Sequence, residues 1–198
     1  MARPSMNGDL GVLALQGDYA EHQRMFERIG RRSRQIRKAS ELEGLAALVL
    51  PGGESTTMLK FIEEEGLMEP LRKLYAEGAA LYGTCAGVIL LAKEVTSPPQ
   101  ASLGLMDVTV ERNGYGRQID SHVGEEPCDE LGEAPLPMVF IRAPILRRTG
   151  PAVRVLARHR GEPVLVRDGR LLASTFHPEL SDDERVHRYF LERVAHSN

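Results

Sequence analysis

The chain has 198 residues, 42% of them hydrophobic and 27% charged, which implies one globular domain with a core of its own rather than a disordered chain. A net charge of -3 argues against a general nucleic-acid binder, and no apolar stretch reaches the roughly 20 residues of a membrane span. Two cysteines, Cys85 and Cys128, make neither a disulfide framework nor a metal cluster, and the first residues lack the apolar core of a signal peptide, so a cytoplasmic protein without metal or cofactor is expected.

Residues 1–9 read as a disordered leader and 10–198 as a single domain. Leu10 to Leu15 is a short apolar run of buried-strand type, ended by Gln16-Gly17-Asp18. Asp18 has the chemistry of an N-cap for a helix whose apolar residues are Ala20, Met25, Phe26 and Ile29, closed by Gly30. The basic run Arg31 to Lys38 surrounds an edge strand and reads as a solvated face. Leu45 to Leu50 is a second buried strand. It runs into Pro51-Gly52-Gly53-Glu54-Ser55-Thr56-Thr57 and then a helix through Met58, Leu59, Phe61 and Ile62. That turn is either a plain Ser/Thr-capped helix start or a backbone cradle, since paired glycines let N–H groups approach a ligand. Met68 to Glu77 is a third helix, and Ala79 to Tyr82 a third strand.

Alternating strands and helices predict a parallel sheet covered on both faces, with ligands at the carboxyl ends of the strands. The turns at 51–57 and 83–87 can therefore share one crevice. After Ala92 the texture changes: Leu105 to Glu111 is a strand, 121–137 is loop-like, and Val139 to Ile141, Val153 to Ala157 and Pro163 to Val166 are strands. Asp168-Gly169 is a hairpin signal, so this half is antiparallel in character. Leu171 to Phe176 is the last strand, followed by His177-Pro178-Glu179 and a helix with Val186, Tyr189, Phe190 and Val194 on one face.

The chemistry concentrates at Gly83-Thr84-Cys85-Ala86-Gly87, a thiol version of the Gly-x-Ser-x-Gly elbow between a strand and a helix. A free cysteine most often simply packs. Flanking glycines at such a corner point instead to a nucleophile, lifted clear of the sheet and facing the free N–H groups of a helix start. A nucleophile needs a base, and the base an orienter. Of the six histidines, His22 and His187 fall in amphipathic helices, His196 in the tail, His159 beside two arginines and His122 in a loop. His177 alone leaves a buried-type strand with a carboxylate two residues on, so that Glu179 can hold one ring nitrogen while the other faces the thiol. Ala86 N–H and an N–H of the Gly52-Gly53 turn are the natural oxyanion donors. The reaction class is acyl transfer through a thioester.

Gly83 to Gly87 together with His177-Pro178-Glu179 resembles the class I, triad-type glutamine amidotransferases. Leu15-Gln16-Gly17, Leu50 to Met58, Val110 to Asn113, Tyr115 to Gln118 and Phe140 to Pro144 narrow the resemblance to glutaminase subunits of pyridoxal 5′-phosphate synthases. The resemblance implies a three-layer, flavodoxin-like fold with an open, mostly parallel sheet and an antiparallel extension. It implies Cys85 as nucleophile, His177 as base, Glu179 as orienter, and Gly53 beside Ala86 in the oxyanion hole. Gly52, Gly53, Glu54, Arg112, Ile141 and Arg142 would bind L-glutamine, and Gln16 and Gly17 would lie near the docking surface. The partner implied is a synthase subunit that accepts the ammonia within a hetero-oligomer, with neither nucleic acid nor membrane involved. Ser121-His122-Val123 departs from the usual Ser-Phe-Glu of this family, which touches local packing rather than the triad. The rival readings are a glutaminase serving another acceptor, a cysteine peptidase or redox protein on a similar fold, and an inactive binding module.

Overall fold

A computed structural model describes residues 8–113 and 121–195. Residues 1–7, the stretch Tyr115 to Gln118 and His196 lie outside the described residues. The first strand, β1 (Asp9–Leu13), starts one residue ahead of the predicted run. It is followed by α1 (Tyr19–Arg28), β2 (Arg34–Ile36), β3 (Leu45–Leu50), α2 (Ser55–Glu64), α3 (Met68–Ala76), β4 (Ala80–Thr84) and α4 (Ala86–Leu91). The second half holds β5 (Ala92–Thr96), β6 (Met106–Glu111), β7 (His122–Cys128), β8 (Gly132–Phe140), β9 (Ile145–Thr149), β10 (Arg154–His159), β11 (Glu162–Asp168) and β12 (Leu171–Ser174). It ends with α5 (Arg185–Tyr189), which runs on as a π-turn over Phe190–Val194.

A seven-stranded sheet in the order β10-β11-β12-β4-β3-β1-β2 forms the middle layer. The run from β12 to β2 is parallel, and β11 and β10 extend it antiparallel. Successive side chains of a strand point to opposite faces, and the core divides accordingly. Leu48, Leu50 and Leu81 pack with α2, α3 and α4, while Ala47, Val49 and Tyr82 pack with α1, α5 and the π-turn through Phe26, Val186 and Phe190. Near-continuous apolar strands with helices on both sides follow from a sheet buried on both faces. The register Leu50↔Gly83 and Thr84↔Ser174 brings the carboxyl ends of β3, β4 and β12 level, beside that of β1.

The second half departs from the sequence reading. Residues 121–137 are not a loop: β7 and β8 form an antiparallel hairpin. Its inward positions carry His122, Gly124 and Glu126, which face the ring of His159 instead of apolar side chains, so the period-2 signal is polar. A Cβ on Gly124 would fall 2.7 Å from His159 Cε1, and Glu126 Oε1 accepts a hydrogen bond from His159 Nδ1 at 2.8 Å. The apolar run after Cys85 forms the expected helix, six residues long, and ends where Ala92 pairs with Met106 in a separate sheet, β5-β6-β9. Within that sheet β9 escapes a sequence reading because Arg147 and Arg148 interrupt its apolar pattern; they pair with Glu111, Glu162 and Asp107.

Candidate functional site

The elbow has the backbone its glycines allow. Cys85 sits at φ 48°, ψ −102°, in the positive-φ region that a residue with a Cβ rarely occupies, at a strain of order 1–3 kcal/mol. Its N–H is held by Ser174 O at 2.9 Å, tying the elbow to the end of β12. A Cβ on Gly87 would lie 2.0 Å from Leu50 O, so only glycine lets α4 approach β3 this closely. Ala86 opens α4, where backbone N–H groups have no intrahelical acceptor.

Three residues beyond Ser174, His177 is anchored by its N–H to Val139 O at 2.8 Å. Its Nδ1 lies 2.7 Å from Glu179 Oε1, and both side chains are almost wholly buried. The backbone between them is not extended as expected: Pro178–Leu180 is a 3-10 turn, and the contact forms across it. Burial works to keep His177 neutral, but hydrogen bonds with Cys85 and Glu179 outweigh it and push the imidazole up to about 10. Burial also raises the carboxyl of Glu179, against the opposing hydrogen bond from His177. On the other side of the ring, Gly52 leaves no room for a side chain, since a Cβ there would meet His177 Cε1 at 2.4 Å.

Asp18 occupies the N-cap position of α1, but its side chain makes no capping hydrogen bond. Its carboxylate instead lies 3.5 Å from His177 Nδ1, and its N–H donates to Gly52 O at 3.1 Å. The α2 cap is likewise not Ser or Thr. Glu54 fills it, with its carboxylate accepting from Thr56 N at 3.0 Å and from Thr57 N at 2.7 Å. Partial burial opposes ionisation, yet these hydrogen bonds hold Glu54 down at about 2. Gln16 reaches across from the end of β1, its Oε1 accepting from Glu54 N at 3.1 Å directly over Gly53.

These loops enclose one cleft of about 390 Å³. Cys85, Ala86 and His177 line it from one side, and Gln16, Gly17, Gly53 and Glu54 from another. Arg112, Ile141 and Arg142 close the third side, carried by the loops after β6 and β8. Of the residues singled out in the sequence, Gly52 and Glu179 stand behind this lining, in contact with His177. Arg112 Nη2 donates to Thr56 Oγ1 at 2.7 Å and lies 3.8 Å from Glu54. Arg142 is exposed at φ 45° and has no ion-pair partner among the described residues. The Ile141 carbonyl lies 3.9 Å from Cys85 Sγ. Cys128 is buried at the end of β7, far along the chain from this machinery, and burial pushes its thiol up.

Sequence reasoning misses two residues beneath the site. It places His22 and His187 on helix faces, yet both are wholly buried and bonded to each other, Nδ1 to Nε2, at 2.9 Å. His22 Nε2 also lies 3.1 Å from Thr84 Oγ1, one residue before Cys85, and 3.6 Å from Glu179 Oε2. The available signal is a histidine on the apolar face of each helix, which marks burial but not what the ring meets.

The sheet, the elbow and the carboxylate-backed histidine define a class, the triad-type glutamine amidotransferases. A solved structure described as a glutamine amidotransferase matches with a TM-score of 0.89 at 52% identity, covering 95% of this chain and 99% of that one. The chain belongs to the SNO glutamine amidotransferase family, which matches residues 12–196. It is 52% identical over 188 residues to pyridoxal 5′-phosphate synthase subunit PdxT of Deinococcus radiodurans, spanning 92% of this chain and 95% of that protein. It is 53% identical over 189 residues to the same-named subunit of Thermus thermophilus, spanning 94% of this chain and 98% of that protein. A glutamine amidotransferase from Thermotoga maritima, only 15% identical, shares the fold with a TM-score of 0.61 over 92% of this chain and 82% of that one.

Proposed function

We propose that this chain is the glutaminase subunit of a pyridoxal 5′-phosphate synthase, hydrolysing L-glutamine and passing the ammonia to a synthase subunit. The observation that carries the reading is a cysteine at a strained strand-to-helix elbow, lining one cleft with His177 of a buried His-Glu pair and facing the Gly52-Gly53 turn. Relatives about half identical over nearly the whole chain supply the synthase assignment.

In this reading the Cys85 proton already rests on His177, whose imidazolium form the site favours, and the thiolate attacks the side-chain amide carbon of glutamine. Negative charge gathers on the carbonyl oxygen, where Ala86 N–H and Gly53 N–H stabilise it; losing one such donor typically lowers kcat by a factor of roughly 100 or more. As the tetrahedral intermediate collapses, His177 returns the proton to the leaving nitrogen, ammonia departs and a glutamyl thioester remains. Water, deprotonated by His177, then releases glutamate and restores the Cys85 thiolate beside protonated His177. Arg142, with no ion-pair partner among the described residues, suits the α-carboxylate, because a guanidinium fork pairs with it bidentately. Gly52, Glu54, Arg112 and the Ile141 backbone complete the glutamine site. Gln16 and Gly17, at the mouth of the cleft and in contact with the Gly52–Glu54 turn, are where docking of the synthase subunit would be felt. We place the protein in the cytoplasm, in keeping with two free thiols.

The test is ammonia release from glutamine, with and without the synthase subunit. Release that depends on Cys85 is expected, and Cys85→Ala should abolish it in a protein that folds normally. No release under either condition, or full activity in Cys85→Ala, contradicts the proposal.

A further inference from the structure

Glu179 uses only one of its two oxygens. Oε1 accepts from His177, while Oε2 is buried and has no hydrogen-bond partner among the described residues. An unpaired buried carboxylate oxygen is unfavourable, and a hydrogen-bond donor is what it lacks. The nearest candidate is His22 Nε2, at 3.6 Å. Whether that nitrogen carries a proton is decided one ring further away. His187 Nδ1 is also buried without a partner. A buried N–H left unpaired is rarer than an unpaired acceptor, so the proton of His187 belongs on Nε2, where it donates to His22 Nδ1 across 2.9 Å. With Nδ1 of His22 thus an acceptor, its own proton must sit on Nε2, aimed at Thr84 Oγ1 and Glu179 Oε2. The opposite arrangement leaves an unpaired N–H on His187 and turns a lone pair of His22 towards the carboxylate. It is therefore disfavoured at both ends.

From this geometry we infer that His22, with its tautomer fixed by His187, is a positioning residue for the triad. Its Nε2–H serves the second oxygen of Glu179, keeps that carboxylate ionised and aimed, and so holds the His177 ring with its other nitrogen turned towards Cys85. The chain of contacts runs from α5 through α1 to the turn after β12, so the packing of α1 against α5 is coupled to the base. The inference rests on the glutaminase reading for its effect on rate, but not for the tautomers themselves.

Two measurements on the full chain test it. Nitrogen-15 NMR of the histidine rings reports each tautomer directly, without turnover. His22 and His187 are expected as Nε2–H forms at neutral pH, and an Nδ1–H form of His22 overturns the inference. Kinetics in the presence of the synthase partner test the consequence. Losing the outer partner of a metal-bound histidine typically costs 10–100-fold in activity, and by analogy His187→Leu should lower kcat by about tenfold or more. KM for glutamine should stay within about twofold, since the lost interaction is not with the substrate. His187→Gln keeps an N–H near the place of Nε2 and should recover most of the loss. An unchanged kcat in His187→Leu, or a loss that His187→Gln does not relieve in a folded protein, overturns the role. If the wild type itself released no ammonia, the glutaminase reading would fail while the NMR result still stood.

Discussion

At the scale of single residues the site is defined by what each side chain is denied. Cys85 is denied an ordinary backbone conformation, Gly52 a side chain, and Glu179 water. The consequence for His177 can be measured. Its pKa is raised from the usual 6.5 to about 10, so the imidazolium form is favoured by the fold. With the folded value above the unfolded one, its contribution to stability is complete below about pH 6.5 and is lost as pH rises towards 10. An NMR titration of His177 should therefore find it protonated through neutral pH, with a midpoint that falls in Cys85→Ala; a midpoint near 6.5 in the wild type contradicts the arrangement. Cys85, His177 and Glu179 are legible in the sequence because each sits in a short local pattern, Gly-x-Cys-x-Gly or His-Pro-Glu. His22 and His187 are not, because their meaning depends on a contact between residues 165 positions apart.

At the scale of elements, four of the five parallel strands, β1, β3, β4 and β12, each end in a loop that contributes to the cleft. The sequence shows these strands as apolar runs, because a sheet covered on both faces must be apolar on both. It hides β7 and β9, because β7 turns polar residues inward to His159 and β9 spends two of its five positions on arginines. The two glycine-dependent joints can be probed separately. Gly87→Ala places a methyl group into the Leu50 carbonyl and should cost about 1–3 kcal/mol or more in denaturant unfolding, with loss of activity as the elbow shifts. Glu54→Ala removes both acceptors of the α2 cap and should cost about 1 kcal/mol. A neutral result for Glu54→Ala would mean that water replaces the cap without penalty.

At the scale of the whole molecule, two sets of histidines pull stability in opposite directions with pH. His22 lies well below 6.5 through burial and the nearby rings of His187 and His177, and burial alone takes His187 down to about 3. Both are neutral in the folded protein and take up protons when it unfolds. Their contribution is present above about pH 6.5 and is lost as pH falls, at a rate approaching roughly 1 kcal/mol per pH unit for each ring. Unfolding free energy should thus decline below pH 6.5, and His187→Phe should flatten that decline; an unchanged slope contradicts the buried neutral pair. The same two rings join α1 and α5 to the turn that carries His177 and Glu179, so the helix layer on this face of the sheet supports that turn as well as the core.

The most direct test of the central claim is to trap the nucleophile. Incubating the protein and its synthase partner with a glutamine-analogue alkylator, then locating the adduct by peptide mass spectrometry, should find one modification, on Cys85, that excess glutamine prevents. An adduct on Cys128, or none on Cys85 in the complex, would contradict it.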